Sequence, residues 1–187
     1  MKLHNGTIAA AIAIMLAPAS LFGQAQITTR REKIKDFTSK TTKVVMSGDE
    51  ILDEALREAV TTSWSISPYE FCSQDEFNAL KTNANHYFLL VVKGQEKKEY
   101  EPGIELLTLV KGGPEAKKSI NDMLEVVSFP LRCAQLPSGR ELAVLPAMLK
   151  VIQGLTKTMI SSEMKAYSNL NSYNKNLGKI KHRQIYI

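Results

Sequence analysis

Two apolar runs of strand length constrain the fold of this 187-residue chain more than any other feature of its sequence. Residues 87–92 read YFLLVV and residues 104–110 read IELLTLV, with the polar stretch QEKKEYEPG between them. A strand that is apolar on both faces belongs inside a sheet that helices cover on each side. The two runs therefore predict a β-hairpin with a long, solvated tip inside an α/β domain.

Shorter sequence patterns predict the remaining strands. A β-branched run predicts a strand at 43–46, and a second short strand at 66–71 is confined by Pro68 to an edge or a strand start. Residues 123–129 (MLEVVSF) predict a strand that Pro130 ends. Residues 180–187 (IKHRQIYI) form a weaker candidate for a closing strand.

Helices are predicted between these strands. Ser47 and Ser73 each stand three residues before a glutamate, the spacing of a capping box, and open helices at about 49–63 and just after 73. Pro114 is well placed to begin a helix running to about 122. Apolar residues three and four apart predict a long helix from about 141 to 167, with Leu149, Ile152 and Leu155 in the core.

The resulting order is β-α-β-α-β-β-α-β-α, with an optional final β. It favours an α/β fold with a mixed sheet of about five or six strands and helices on both faces, over an α+β sandwich with one covered face. Residues 43–187 are predicted to form this single domain, with a long C-terminal helix and a basic tail. Residues 26–42 are polar and without apolar periodicity, and they predict a flexible N-terminal arm.

The first 25 residues are typical of a secretory signal peptide. Lys2 precedes an apolar run at 8–16, which is too short to span a bilayer. Small residues at Gly23 and Ala25 suit cleavage after Ala25, and Ala17 and Ala19 offer an earlier alternative. The sequence therefore predicts a soluble protein, periplasmic or secreted after cleavage, that is not an integral membrane protein.

One stretch of the chain resembles known envelope domains. The segments LDEALREAVTTSW, ISPYEFCS and YFLLVV, together with the helix around Phe77, resemble the N-terminal α/β domain of TolB and the curli secretion protein CsgG, and small secreted proteins of Gram-negative bacteria. The resemblance covers about 50 residues and is one of pattern. It implies a binding or assembly role in the envelope without catalysis, and it assigns no functional residue.

The cysteines leave two interpretations open. Cys72 and Cys133 are too far apart in sequence for a C-x-x-C motif or a zinc knuckle. The oxidising compartment that an exported protein reaches favours a disulfide between them, whereas two separately buried thiols would give the same sequence. A third hypothesis makes Cys72 a nucleophile and His86 its base, which requires only that they meet in space.

The sequence offers few residues for metal, cofactor or anion binding. No cofactor is predicted, and His86 and His182 lie in no metal-binding frame, so no metal site is expected. The turn at Gly112 and Gly113 could present backbone N–H groups to an anion, although an ordinary strand-to-helix turn is the favoured interpretation.

Charge is unevenly distributed along the chain. The formal net charge is +5, and from residue 142 onward seven basic residues stand against one acidic residue. Four of them, Lys175, Lys179, Lys181 and Arg183, form a candidate basic patch for an acidic partner, a lipid head group or another anion. A solvated face is the alternative, and no motif favours nucleic acid.

Taken together, these patterns favour an exported, non-catalytic envelope protein that binds a partner protein, a lipid head group or a small ligand. The alternative is a small periplasmic enzyme, such as a hydrolase, that uses Cys72 and His86.

Overall fold

The computed structural model describes residues 33–95 and 100–162 and confirms the α/β class. Within these two ranges, one mixed sheet of five strands carries helices on both faces. The strands are β1 (Thr41–Val45), β2 (Tyr69–Cys72), β3 (His86–Gly94), β4 (Ile104–Lys111) and β5 (Leu124–Cys133). The α-helices in the described part of the chain are α1 (Glu50–Ser63), α2 (Gln74–Leu80) and α3 (Leu145–Ser161).

The strand order across the sheet is β2-β1-β3-β4-β5. β1 pairs in parallel with both β2 and β3, whereas β4 is antiparallel to β3 and to β5. The chain crosses from β1 to β2, and then crosses back past β1 to β3. The two parallel crossover connections therefore run in opposite directions across the sheet. Because such crossovers share one handedness, α1 and α2 must lie on opposite faces of the sheet.

Burial confirms this arrangement of layers. On one face, Leu52 and Leu56 of α1 pack with Leu149 and Ile152 of α3 over the sheet, and all four side chains are at most 1% exposed. On the other face, Phe77 of α2 packs on Phe88. The predicted core face of the last helix is thus confirmed at Leu149 and Ile152, and Leu155 is partly buried against the same cluster.

The predicted flexible arm is wrong for the residues that precede β1. Phe37, at 0% exposure, packs edge-to-face on Tyr87 and Trp64, and Ile34 is 1% exposed. The Tyr87 hydroxyl donates to Asp36 at 2.6 Å, and Lys111 donates to the same carboxylate. These apolar and polar contacts together hold the segment against the sheet, and β1 begins at Thr41. Residues 26–32 lie outside the described residues.

Two further predicted elements have different bounds. Residues 114–122 form two 3-10 turns, Pro114–Lys117 and Ile120–Asp122, in place of the predicted helix. β5 continues through Pro130 to Cys133, because an edge strand can place the missing N–H of proline on the side without a partner strand. A 3-10 turn, Arg140–Val144, precedes α3. The end of the predicted last helix beyond residue 162 and the candidate strand at 180–187 lie outside the described residues.

Candidate binding site at the carboxyl end of the sheet

A cleft of about 250 Å³ opens where β1 and β3 end. From these two adjacent parallel strands the chain leaves in opposite directions, toward β2 and toward β4. Open α/β sheets bind ligands in the crevice outside the carboxyl ends of strands at such a reversal. The cleft is lined by Ser47, Asp49, Leu52, Gln74, Val91, Lys93, Glu105 and Arg132.

The loop from β1 to α1 fixes one wall of the cleft. Gly48 has φ +91°, a conformation that favours glycine. Asp53 accepts hydrogen bonds from the backbone N–H groups of Ser47 and Gly48 at 2.7 and 3.0 Å. Asp49 caps α1 by accepting from the N–H groups of Ile51 and Leu52. The amides at the start of this helix are therefore already bonded to the protein's own carboxylates, and the loop holds Asp49 in a fixed position.

Arg132 crosses the floor of the cleft and joins three parts of the fold. Its Nε donates to Glu105 Oε2 on β4 and its Nη2 donates to Asp49 Oδ2, both at 2.7 Å. The side chains of Arg132 and Glu105 are each 9% exposed, whereas that of Asp49 is 41% exposed. This ion-pair network ties β5 to β4 and to the N-terminus of α1.

The network also stabilises the charged forms of Asp49 and Arg132. The hydrogen bond from Arg132 is the largest influence on Asp49, and it lowers the pKa of that carboxyl below its usual value. Burial alone would lower the pKa of Arg132, but the hydrogen bonds to Asp49 and Glu105 outweigh it and raise that pKa. Asp49 and Arg132 therefore stay charged at neutral pH.

Two polar side chains at the mouth of the cleft keep bonding capacity. The side chain of Lys93, on β3, is exposed and forms no ion pair or hydrogen bond among residues 33–95 and 100–162. Gln74 uses its amide N–H on the carbonyl of Met46 at 2.8 Å, which leaves its amide oxygen as an acceptor.

Exposed apolar side chains lie at the same end of the sheet. The large hydrophobic residues that are exposed in the described part of the chain are Ile51, Tyr100, Ile104, Leu136 and Val144, which we call the apolar rim. Ile51 follows β1, Tyr100 and Ile104 belong to the β3–β4 connection and the start of β4, and Leu136 follows β5.

Val144 belongs to the rim because of the direction of α3. Gln153, in the middle of α3, bonds to the residues at the end of α1. The 3-10 turn that contains Val144 also contacts α1, so the half of α3 that precedes Gln153 lies along α1, toward its start.

The structure contradicts the predicted disulfide. Cys72 is buried, Cys133 is exposed, and both are free thiols. They end β2 and β5, which run in the same direction but form the two opposite edges of the sheet. Four strand spacings separate them by roughly 19 Å, far beyond the ~4.4–6.8 Å between Cα atoms that a disulfide needs. The prediction failed because it assumed that the two strands are neighbours.

The structure also separates the predicted catalytic pair. In the register of the parallel strands, Cys72 lies beside Val45 at the end of β1, whereas His86 lies beside Thr41 at its start. The separation is roughly 13 Å along the strands in addition to two strand spacings across them. Burial raises the pKa of the Cys72 thiol and, together with Lys43, lowers the pKa of His86. A Cys72–His86 hydrolase has no geometric support.

The Gly112–Gly113 turn uses its amides internally. Gly112 N–H donates to the carbonyl of His86 at 2.9 Å and Gly113 N–H to that of Lys81 at 3.0 Å, so neither is available to an anion. A Cβ on Gly112 would lie 2.3 Å from the carbonyl oxygen of Asn83, so close backbone contact explains this glycine. The turn borders a cavity of about 510 Å³ at the amino end of β3, whose lining includes Glu115, Asp122 and Glu125.

The remaining predictions concern the tail, metals and membranes. Lys175, Lys179, Lys181 and Arg183 lie outside the described residues. Within residues 33–95 and 100–162, no group of three or more His, Cys, Asp or Glu side chains could hold a metal ion. No helix in the same part of the chain is long and apolar enough to cross a membrane.

The sequence interpretation missed the network that lines the cleft. A signal was present: Glu105 interrupts the apolar run of β4, and Arg132 ends the apolar run of β5. Charged residues are almost never fully buried without partners. The pattern therefore indicated a buried ion pair but could not identify Asp49 as the third member.

Comparison with protein-family models, curated proteins and solved structures found no match. The geometry of the site therefore carries the functional inference.

Proposed function

We propose that this chain is an exported, non-catalytic binding protein of the cell envelope, and that it binds a protein partner through the apolar rim. Export is inferred from the signal-peptide pattern of residues 1–25. The resemblance of the first half of the domain to TolB and CsgG-type envelope domains belongs to the same proposal and supports a role in binding or assembly.

The confinement of the apolar rim to one end of the sheet carries the proposal. Ile51 is 73% exposed and Leu136 is 82% exposed. Single exposed apolar residues scattered over a surface need no explanation, but apolar residues gathered at one end favour an interaction site. Aromatic and aliphatic side chains surrounded by polar groups are typical of the centre of a protein interface.

Site-specific photo-crosslinking in the native cell tests the partner surface. A photoreactive residue at Leu136 is expected to give a covalent adduct of one defined mass. The matched control is a photoreactive residue at Asn85, an exposed position at the opposite end of β3. Ile51→Lys should remove the Leu136 adduct, because a charged side chain in the centre of an apolar contact is costly to bury. Equal labelling from both positions, or none from Leu136, would overturn the proposed surface.

The same sample tests export. N-terminal sequencing of the labelled chain should begin at residue 26, and the adduct should fractionate with the envelope. A chain that retains residues 1–25 would contradict the export proposal. It would not affect the test of the partner surface, which depends on the crosslinking result alone.

A further inference from the structure

The cleft at the carboxyl end of the sheet carries charged groups whose bonding capacity the protein itself does not fill. Arg132 uses two of its five N–H donors, on Glu105 and Asp49. Only Oε2 of Glu105 accepts a hydrogen bond among the described residues, which leaves Oε1 as an acceptor. The ammonium group of Lys93 has no partner among the described residues.

These groups stand in a row across three strands. Lys93 of β3 is directly opposite Glu105 of β4, and Glu105 is directly opposite Arg132 of β5. Directly paired residues on neighbouring strands project from the same face of the sheet. A carboxylate therefore lies between two cations, and Asp49 adds a second carboxylate beyond Arg132.

The balance of charge selects the kind of ligand. Two cations and two carboxylates make the lining neutral overall. A simple carboxylate would bond to Lys93 but would approach Glu105, and a simple amine would bond to Glu105 but would approach Lys93. A molecule that carries both charges a few ångströms apart can satisfy both sides at once. The volume of about 250 Å³ is below the ~300–1,000 Å³ typical of pockets for drug-sized ligands.

We propose that this cleft binds a free α-amino acid. The carboxylate of the ligand would accept from Lys93 and from the remaining N–H groups of Arg132. Its ammonium would donate to Oε1 of Glu105 and to the amide oxygen of Gln74. This inference goes beyond the proposed partner binding, since no residue of the apolar rim lines this cleft.

Thermal-shift measurements on the purified protein, followed by calorimetry, test the ligand class. The probes are the standard amino acids at millimolar concentration, and at least one is expected to raise the melting temperature. For any amino acid that binds, the acid lacking its amine and the amine lacking its carboxylate are expected to bind at least tenfold more weakly. For alanine, these analogues are propionate and ethylamine. If no amino acid binds, or if either analogue binds equally well, the proposal is wrong.

Variants assign the binding to this cleft. Lys93→Ala should weaken binding at least tenfold, and because Lys93 is exposed the fold should be unaffected. Glu105→Gln should weaken it similarly by removing the charge that meets the ammonium. Lys150→Ala, the same change at an exposed position on α3, is the matched control and should bind as the parent does. Unchanged affinity in Lys93→Ala overturns the assignment, whether or not Glu105→Gln folds. The Leu136 crosslinking result is independent of both variants.

Discussion

At the scale of single residues, the main feature is a charged network in a place that sequence patterns predict to be apolar. Arg132 and Glu105 are both nine-tenths buried, and each is paired with the other. Burying charges is costly, so such a pair adds little net stability compared with well-packed apolar residues. Removing one member is a different matter, because the other is then left buried without a partner.

This reasoning gives a stability prediction for Arg132. Arg132→Leu should lower the free energy of unfolding by about 3–5 kcal/mol, measured by urea denaturation, because Glu105 loses its partner in a buried position. The double variant Arg132→Leu with Glu105→Leu should lose clearly less. If the single variant is as stable as the parent, Glu105 must gain water or another partner when Arg132 is removed.

The sequence limits what can be predicted at this scale. The charges at Glu105 and Arg132 were visible as interruptions in apolar strands, so a buried pair could be expected. The third member could not, because Asp49 lies 83 positions from Arg132. Only the order of strands brings the two together, and local periodicity does not encode that order.

At the scale of elements, periodicity predicted most helices and strands, and it failed where geometry depends on contacts distant in sequence. The hairpin of β3 and β4 and the core face of α3 followed from their patterns. Residues 114–122 did not form the predicted helix, because Ser119 is extended and its side chain accepts from the N–H of Asn121, which starts a second short turn. The parallel pairing of β1 with both neighbours likewise had no local signal.

Gln153 illustrates a contact between elements that can be tested. It lies on the buried face of α3 at 5% exposure, and its oxygen accepts from the N–H groups of Ser65 and Ile66. Its amide N–H donates to the carbonyl of Ser63 at 2.8 Å. The hydrogen bonds of this one side chain thus hold the end of α1 against α3.

Gln153→Leu should therefore destabilise the protein by about 1–3 kcal/mol for each backbone group left without a partner. Equilibrium unfolding in urea measures the loss. Gln135→Leu makes the same chemical change at an exposed position and should stay close to the parent. Equal stability of the two variants would show that the end of α1 does not depend on Gln153.

At the scale of the whole molecule, the placement of the two sheet edges decides the state of the cysteines. β2 and β5 are the outer strands, so the thiols at their ends face different surroundings. We expect two free thiols per chain when the native protein is denatured without reducing agent. In the folded protein, Cys133 should react with a maleimide, whereas Cys72 should react only after unfolding, since burial raises the pKa of its thiol.

A Cys133→Ser variant provides the control for the thiol measurement. It should lose the fast reaction and keep one thiol that appears on unfolding. A monomeric parent chain without free thiols after denaturation would contradict the strand order itself, because a bond across the sheet requires β2 and β5 to be neighbours.

The strand order also has a consequence for the time course of folding. β1 is the first of the described strands to be synthesised, yet it is an interior strand whose two partners, β2 and β3, come later in the chain. Its backbone donors and acceptors can be fully paired only once residue 89 has emerged from the ribosome or from an export channel. The meander of β3, β4 and β5, in contrast, pairs through local connections that close quickly. We therefore expect β3, β4 and β5 to pair first and β1 to add to them afterwards. In a chain whose synthesis stops before β3, β1 would stay unpaired on one side and could bind chaperones.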